Sequence, residues 1–434
     1  MESVKEKAIS AKEAFIKLSN AKTKDKNDAL LRMAISLDKN RKKILEANKL
    51  DILGAEKLLK KGELTESMVK RLEVTDSKIN DMITGIKDVV KLEDPVGKTL
   101  SSLELDANLE LYQIATPIGV IGMVFESRPD VVPQIIALAL KSGNGVLLKG
   151  GRESANTNRA IYEILTDSIN DKSTPKQAFQ LLETREDVTE MLKLDKYIDL
   201  IIPRGSNDFV RFVQSNTKIP VLGHSDGICH AYVDKSYDEK KALDVCFDAK
   251  VQYPAVCNAI ETLLVHEKSA KAFLPKMGKM YREAGVEIRC CPESYEILKD
   301  LKVKKAKEKD WSTEYNDLII SIKVVKSVED AVSHINRYGS HHTDTIITED
   351  KGAGDYFLNF VDSSSVMLNA STRFADGFRY GKGAEIGIST GKIHARGPTG
   401  MEGMLIYKYK LLGSGHKVSD YVGKNAKPFT HRKL

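Results

Sequence analysis

The sequence contains no apolar run long enough to cross a membrane; the longest, residues 118–125, includes two glycines. Its 434 residues include five cysteines, an odd number without regular spacing, which argues against a disulfide framework and indicates a reducing compartment. The N-terminus lacks the apolar core of a signal peptide, and its acidic residues argue against an organelle transit peptide. These absences predict a cytoplasmic protein with no membrane partner.

A concentrated basic face is also missing. The net charge is +6, and lysines such as Lys57 and Lys60 alternate with acids such as Glu56 and Glu63. Because nucleic-acid binding requires clustered positive charge, the composition argues against that function. With 41% hydrophobic and 29% charged residues the chain is typical of a globular protein, and its length predicts two or three domains.

The apolar pattern alternates between helices and strands. Residues 2 to about 90 have helical spacing, after which 109–114 alternates like a strand. Short apolar runs at 118–125, 146–149 and 200–203 are separated by helical patterns. Further strand-like runs follow at 318–325 and 344–348. This order predicts an α/β fold with doubly wound parallel sheets.

The dinucleotide fingerprint G-x-G-x-x-G is absent as well. Instead, Gly205 and Ser206 join a strand to an amphipathic helix, where free backbone N–H groups can bind a phosphate. Lys149 and Arg152 follow an earlier strand, at the end of a parallel strand where ligands gather. Two cations there suit the phosphorylated ribose of NADP, although an exposed basic loop is the simpler interpretation.

Cys257 is the candidate nucleophile. It follows Pro254 and two small residues, a setting typical of a turn, and precedes the apolar stretch 260–265. A thiolate presented on such a turn is a strong nucleophile, and its thioester accepts hydride well. The alternative is that Cys257 is a small buried hydrophobic residue, as free cysteines usually are.

Together these segments resemble the aldehyde dehydrogenase superfamily and, more narrowly, its gamma-glutamyl phosphate reductases (glutamate-5-semialdehyde dehydrogenases). Eight segments in family order carry the resemblance: 124–130, 148–154, 202–207, 253–258, 310–315, 369–378, 383–390 and 394–400. The segment 219–229 is similar to the fungal-type branch.

The resemblance implies an aldehyde dehydrogenase-like fold of two doubly wound α/β domains with a small oligomerisation β element. The expected NADP-binding domain spans 1–235, with a helical N-terminus and a hairpin near 100–116. A catalytic domain at 236–404 and a C-terminal oligomerisation segment and tail at 405–434 follow. A homo-oligomer, a dimer or larger, is therefore expected.

The implied reaction is the reduction of L-glutamyl 5-phosphate by NADPH to L-glutamate 5-semialdehyde, phosphate and NADP⁺, the second step of proline biosynthesis from glutamate. The substrate is small and labile, so a transient encounter with a separate glutamate 5-kinase is expected.

The resemblance also assigns residues. Cys257 is the nucleophile, and Ser127, together with the Cys257 backbone N–H, is a candidate donor to the oxyanion. The cofactor-binding candidates are Lys149, Arg152, Gly205, Ser206 and Glu314. The candidates for binding substrate phosphate or α-carboxylate are Arg373, Arg379, His394 and Arg396, although structural ion pairs or subunit contacts are equally consistent with these four.

One absence favours reduction over oxidation. Oxidising relatives use a glutamate to activate the water that hydrolyses the thioester. The corresponding stretch, 220–225, has no glutamate. The alternative function, NAD(P)-dependent oxidation of a semialdehyde, would not require phosphate. A catalytically silent member of the fold would be expected to lack Cys257 or Glu314, and both are present.

No metal is expected. The spacings of His224, Cys229, His230, His341 and His342 fit no zinc pattern, and the implied chemistry needs no metal.

Overall fold

The computed structural model describes residues 2–126, 128–169, 171–224 and 226–434, with the side chain of Ser67 left out. The chain forms two compact units. Unit 1 comprises Met1–Gly205, Phe209–Leu222 and Gly400–Leu434, and unit 2 comprises Ser206–Asp208 and Gly223–Thr399.

Unit 1 is built on a four-stranded parallel sheet in the order β5-β4-β3-β6. Its strands are β3 (Val120–Phe125), β4 (Gly145–Lys149), β5 (Phe179–Leu182) and β6 (Leu200–Arg204). The helices that precede or connect them are α1 (Val4–Leu18), α2 (Thr23–Lys39), α3 (Arg41–Lys60), α4 (Glu66–Leu72), α5 (Asp76–Lys91), α6 (Val131–Ser142), α7 (Ala155–Asp167) and α8 (Arg185–Met191). Helix α9 (Asn207–Ser215) follows β6.

Local sequence explains the centre of this sheet. All six residues of β3 are buried, as its unbroken apolar run predicts for a strand covered on both faces. Helix α6 ends at Gly143, whose φ of 74° is a left-handed conformation that glycine adopts without strain. At Gly119, a Cβ would lie 1.9 Å from Asp199 Oδ2, the atom that accepts a 2.8 Å hydrogen bond from the Val120 backbone N–H. Glycine at position 119 therefore leaves room for the Asp199 carboxylate to accept the hydrogen bond from the backbone N–H of Val120.

A second sheet in unit 1 is antiparallel, in the order β16-β2-β1-β17. Its strands are β1 (Thr99–Asp106), β2 (Leu109–Pro117), β16 (Leu405–Leu412) and β17 (Arg432–Lys433). Strands β1 and β2 form the hairpin expected near 100–116. The C-terminal segment pairs with it along eight positions, from Leu405 opposite Pro117 to Leu412 opposite Glu110.

Unit 2 contains a seven-stranded parallel sheet in the order β10-β9-β11-β8-β7-β12-β13. Its strands are β7 (Cys229–Val233), β8 (Ile260–His266), β9 (Glu287–Cys290), β10 (Lys304–Lys305), β11 (Ile319–Val325), β12 (Thr343–Ile347) and β13 (Ser365–Leu368). Its helices are α10 (Glu239–Val251), α11 (Glu267–Glu283), α12 (Pro292–Leu298), α13 (Val328–Tyr338) and α14 (Lys351–Phe360). A short antiparallel pair, β14 (Gly387–Ser389) and β15 (Gly397–Thr399), lies in the glycine-rich stretch.

The predicted α/β fold with doubly wound parallel sheets is confirmed. The compact units change after Leu222 and Thr399, whereas the sequence predicts domain boundaries at 235 and 404. The functional names of those domains stay predictions. Within the described residues, no helix is long and apolar enough to span a membrane.

Candidate active site

Cys257 lies in a turn between α10 and β8, as the sequence predicts. It is partly exposed, whereas Cys229, Cys246, Cys290 and Cys291 are buried. The turn is closed by the Ala259 backbone N–H, which donates to the Val256 carbonyl over 3.0 Å. Asn258 anchors it further, because its buried side-chain amide donates to the Ala375 carbonyl over 2.9 Å. The thiol is thus held on a fixed backbone and remains accessible.

The surroundings of Cys257 come from the amino ends of three adjacent parallel strands. Cys229 begins β7, Cys257 precedes β8 by three residues, and His342 immediately precedes β12. The Cys229 thiol donates to the Cys257 carbonyl oxygen over 3.2 Å. Burial raises the pKa of the Cys229 thiol well above its ordinary value, so Cys229 stays protonated and serves as a donor.

Two histidines complete this group. One ring nitrogen of His224, one ring nitrogen of His342 and the Cys257 Sγ all lie within 4.8 Å of one another. The two imidazole rings meet edge to face with their centroids 4.8 Å apart. Since histidine and cysteine also bind zinc, the expectation that the protein uses no metal stays a prediction.

Gly227 makes room for the turn. A Cβ at this position would lie 2.2 Å from the Cys257 carbonyl oxygen and 2.4 Å from its Cα, distances that no side chain can adopt. The backbone of residue 227 therefore packs directly against the nucleophile.

Arg373 is the candidate substrate arginine whose charge interacts with Cys257. Burial lowers the pKa of the Arg373 guanidinium, nearby Arg379 acts in the same direction, and Asp248 and Cys257 act against them. Its Nε donates to Gln252 Oε1 over 3.0 Å. The helix preceding Cys257, α10, presents its carboxyl end to the turn, so the favourable local charge comes from this cation rather than from a helix N-terminus.

The other substrate candidates have different partners. Arg396 binds Asp362 with its Nη1 3.1 Å from Oδ1, and its Nη2 donates to the Asp362 carbonyl over 3.0 Å. Lys392 binds the same carboxylate at 2.6 Å. Arg379 lies 3.4 Å from Asp376. His394 has a left-handed backbone with φ of 51°. Because Arg396 is already bound to Asp362, the structure favours an ion pair over substrate binding for this residue.

The cofactor candidates divide between the two units. In unit 1, Lys149 ends β4, and exposed Arg152 follows two glycines later. Burial lowers the pKa of the Lys149 ammonium, while Glu153 and Glu126 act in the opposite direction and Arg185 adds to the lowering. Arg185 is thus a third cation near this strand end, which sequence reasoning missed.

At two glycines of this region, neighbouring side chains pack where a Cβ would stand. A Cβ at Gly150 would lie 2.1 Å from Asn158 Nδ2, and one at Gly205 would lie 2.7 Å from Glu126 Oε2. Glycine at these two turns therefore lets Asn158 and Glu126 approach the backbone at the ends of β4 and β6.

In unit 2, Glu314 follows buried Trp311 and accepts a 2.8 Å hydrogen bond from the Asn207 side-chain amide. Asn207 also donates to Asp226 over 3.1 Å. The carboxylate is therefore oriented, unlike an ordinary surface glutamate. Ser206, one residue before Asn207, is exposed. Ser127, the candidate oxyanion donor, lies outside the described residues.

Comparisons with known proteins identify the family of this chain. The sequence pattern of the aldehyde dehydrogenase family matches residues 1–289. A gamma-glutamyl phosphate reductase from Methanosarcina acetivorans is 62% identical over 437 residues, which cover 100% of this chain and 98% of the relative. The chain belongs to the gamma-glutamyl phosphate reductases of the aldehyde dehydrogenase family.

Solved structures place the fold in the same family. The gamma-glutamyl phosphate reductase of Thermotoga maritima has a TM-score of 0.92 and 44% identity, with 96% of this chain and 100% of that one covered. The yeast enzyme, from Saccharomyces cerevisiae, has a TM-score of 0.54 and 38% identity over 97% of this chain and 100% of its own. The expected fungal-type branch is not supported, because archaeal relatives reach 62% identity. That expectation rested on the eleven residues 219–229, which are too few to resolve branches of one family.

Proposed function

We propose that this protein reduces L-glutamyl 5-phosphate to L-glutamate 5-semialdehyde and phosphate through a thioester on Cys257, as the second step of proline biosynthesis from glutamate. The observation that carries the proposal is full-length similarity to gamma-glutamyl phosphate reductases, supported by the partly exposed Cys257 on its anchored turn. The enzyme is then a phosphorylating glutamate-5-semialdehyde dehydrogenase.

The chain's own residues account for the acyl-transfer half of the reaction. The Cys257 thiolate attacks the acyl carbon, and the bond from that carbon to the phosphate oxygen breaks. Arg373, which is largely buried and interacts electrostatically with Cys257, is proposed to supply positive charge to the reacting group. The backbone N–H of Cys257 is the proposed donor to the oxyanion, with Ser127 as its proposed partner. Arg379 and His394 are the further candidates for holding the substrate's anionic groups.

NADPH, when bound, supplies the hydride that converts the thioester to the aldehyde. Lys149, Arg152, Gly205 and Ser206 are proposed to hold its phosphates and ribose, and Glu314 its nicotinamide ribose. Exposed Arg152 beside Lys149 supports NADP over NAD, because a guanidinium binds a 2′-phosphate that NAD lacks.

The surface and setting of the enzyme complete the proposal. Strand β16 exposes Tyr407, Tyr409 and Leu411, and an apolar strand of this kind supports a homo-oligomer of two or more subunits. We propose a cytoplasmic location and a transient encounter with the glutamate 5-kinase that supplies the acyl phosphate.

The reverse reaction tests this function. Purified protein is given glutamate semialdehyde, phosphate and NADP⁺, and NADPH absorbance is followed. We expect turnover that requires phosphate and is lost in Cys257→Ala. Cys246→Ala, in which a buried core cysteine is shortened, is the matched control and should keep its activity. Turnover without phosphate would instead indicate an oxidising semialdehyde dehydrogenase.

A further inference from the structure

The tautomer of His224 is fixed by its surroundings. Its Nδ1 lies 2.8 Å from the carbonyl oxygen of Ile388, a residue of β14. A carbonyl can only accept, so Nδ1 carries the hydrogen and, in the neutral ring, Nε2 is left with its lone pair. The ring therefore presents a proton acceptor from a fixed position.

Cys257 is the reacting group within reach of this ring. One ring nitrogen of His224 and the Cys257 Sγ lie within 4.8 Å of each other, and both residues are partly exposed. In unliganded enzymes such pairs are often longer than a hydrogen bond and tighten when substrate binds. His342, which is fully buried, packs its ring against that of His224 and limits its rotation.

His224 also lies in the stretch 220–225, where oxidising relatives carry their water-activating glutamate. A carboxylate there serves hydrolysis of the thioester. An imidazole held by its Nδ1 is suited instead to exchange one proton with the thiol.

We propose that His224 is the acid–base partner of Cys257, an assignment that rests on the proposed function. His224 Nε2 takes the proton from the Cys257 S–H, leaving the thiolate that forms the C–S bond. As the C–O bond of the acyl phosphate breaks, its electron pair stays with the phosphate, and His224 delivers the same proton to that leaving group. After hydride transfer the C–S bond breaks, and the released thiolate takes a proton from solvent.

Other titratable groups border the pair and must be separated from it. Cys229 contacts the Cys257 carbonyl, His342 packs on His224, and the charge of Arg373 acts on Cys257. Asp344 and Glu261 act on Cys229. A variant that removes His224 Nε2 but keeps the hydrogen bond to Ile388 replaces none of these five side chains.

His224→Asn is that variant, because the asparagine amide occupies the place of Nδ1 and can still donate to Ile388. The first measurement is the rate of Cys257 alkylation by iodoacetamide against pH, with protein alone in EDTA. We expect a rate at pH 7 at least about 10-fold lower than in the unaltered protein, with the two rates converging near pH 10 where hydroxide suffices. His416→Asn is the control, since His416 also bonds to a backbone carbonyl, that of Ala107, in unit 1.

The second measurement is the pH profile of reverse turnover. We expect kcat of His224→Asn to fall by about 10²- to 10⁴-fold near neutral pH, with KM for the semialdehyde nearly unchanged. Superimposable alkylation profiles of the variant and the unaltered protein would overturn the assignment. If the Asn variant does not fold, His224→Gln carries the same test. If alkylation slows in His224→Asn as expected but the unaltered protein shows no phosphate-dependent turnover, the pairing of His224 with Cys257 is supported and the proposed function is rejected.

Discussion

Gly227 and Cys257 are packed so closely that no side chain fits between them. A Cβ at Gly227 would lie 2.2 Å from the Cys257 carbonyl oxygen, and what it would meet is backbone rather than a movable side chain. Relief requires the turn that carries the nucleophile to move. A displacement of about 1 Å at a reacting group can cost about 100-fold in rate.

Gly227→Ala should therefore lower kcat/KM by about 100-fold or more, measured as phosphate-dependent NADP⁺ reduction. Gly54→Ala is the matched control, because a Cβ at this position in α3 meets nothing within 4 Å. The control should keep full activity and gain up to about 1 kcal/mol of stability, the difference between alanine and glycine in a helix. Equal activity of the two variants would contradict a tightly packed nucleophile turn.

Substitution should distinguish the roles of two candidate substrate arginines, Arg373 and Arg396. Arg373 is largely buried and its charge acts at Cys257, whereas Arg396 is committed to Asp362. We expect Arg373→Gln to lower kcat/KM at least 100-fold. Arg396→Gln, which breaks a partly exposed ion pair, should cost about 1 kcal/mol of stability or less and under 10-fold in activity. A larger kinetic loss in Arg396→Gln would reverse the assignment. Steady-state kinetics of both variants, with thermal unfolding alongside, decide between these outcomes.

Much of this arrangement follows from local sequence. The apolar run of β3 and the glycine that ends α6 predict a buried strand and a helix end, because both depend on neighbouring residues. The turn at Cys257 can likewise be predicted from its neighbouring residues. The family segments then predict the fold and the nucleophile, and the comparisons confirm the fold.

The cluster around Cys257 could not be predicted in the same way. His224, His342 and Cys257 come together because β8, β7 and β12 are neighbours in the sheet, so that their amino ends share one edge. Strand order is not contained in sequence spacing. For that reason the spacing of the histidines tests them only as zinc ligands, and it does not reveal the packing of Gly227 against Cys257.

Arg152 should decide the choice of dinucleotide. The Arg152→Ser variant loses a cation that has no partner on NAD, so KM for NADP⁺ should rise about 10- to 100-fold while KM for NAD⁺ stays constant. Loss of one charge-assisted hydrogen bond, about 1.5–3 kcal/mol, corresponds to this range. Arg71→Ser, at an exposed arginine of α4, is the control and should alter neither constant. A parallel rise of both KM values would place Arg152 elsewhere than at the 2′-phosphate.

His334 should make unit 2 sensitive to acid. Burial, reinforced by His230, Lys323 and Arg337, lowers its pKa from 6.5 to about 2. As pH falls below about 6.5, His334 therefore binds a proton in the unfolded chain but stays neutral in the folded chain. The stabilisation is complete above pH 6.5 and is lost as pH falls, by about 1.4 kcal/mol per pH unit, or about 3 kcal/mol at pH 4.5.

The single tryptophan, Trp311, reports on this site directly, because its ring centroid lies 5.5 Å from that of His334. Urea unfolding followed by its fluorescence at pH 7 and pH 5 should show that His334→Gln loses less stability between the two pH values than the unaltered protein. The difference should approach about 2 kcal/mol, since one proton no longer distinguishes the folded from the unfolded chain. The exposed His431→Gln should behave like the unaltered protein. An unchanged pH dependence in His334→Gln would mean that this histidine is protonated in the folded state.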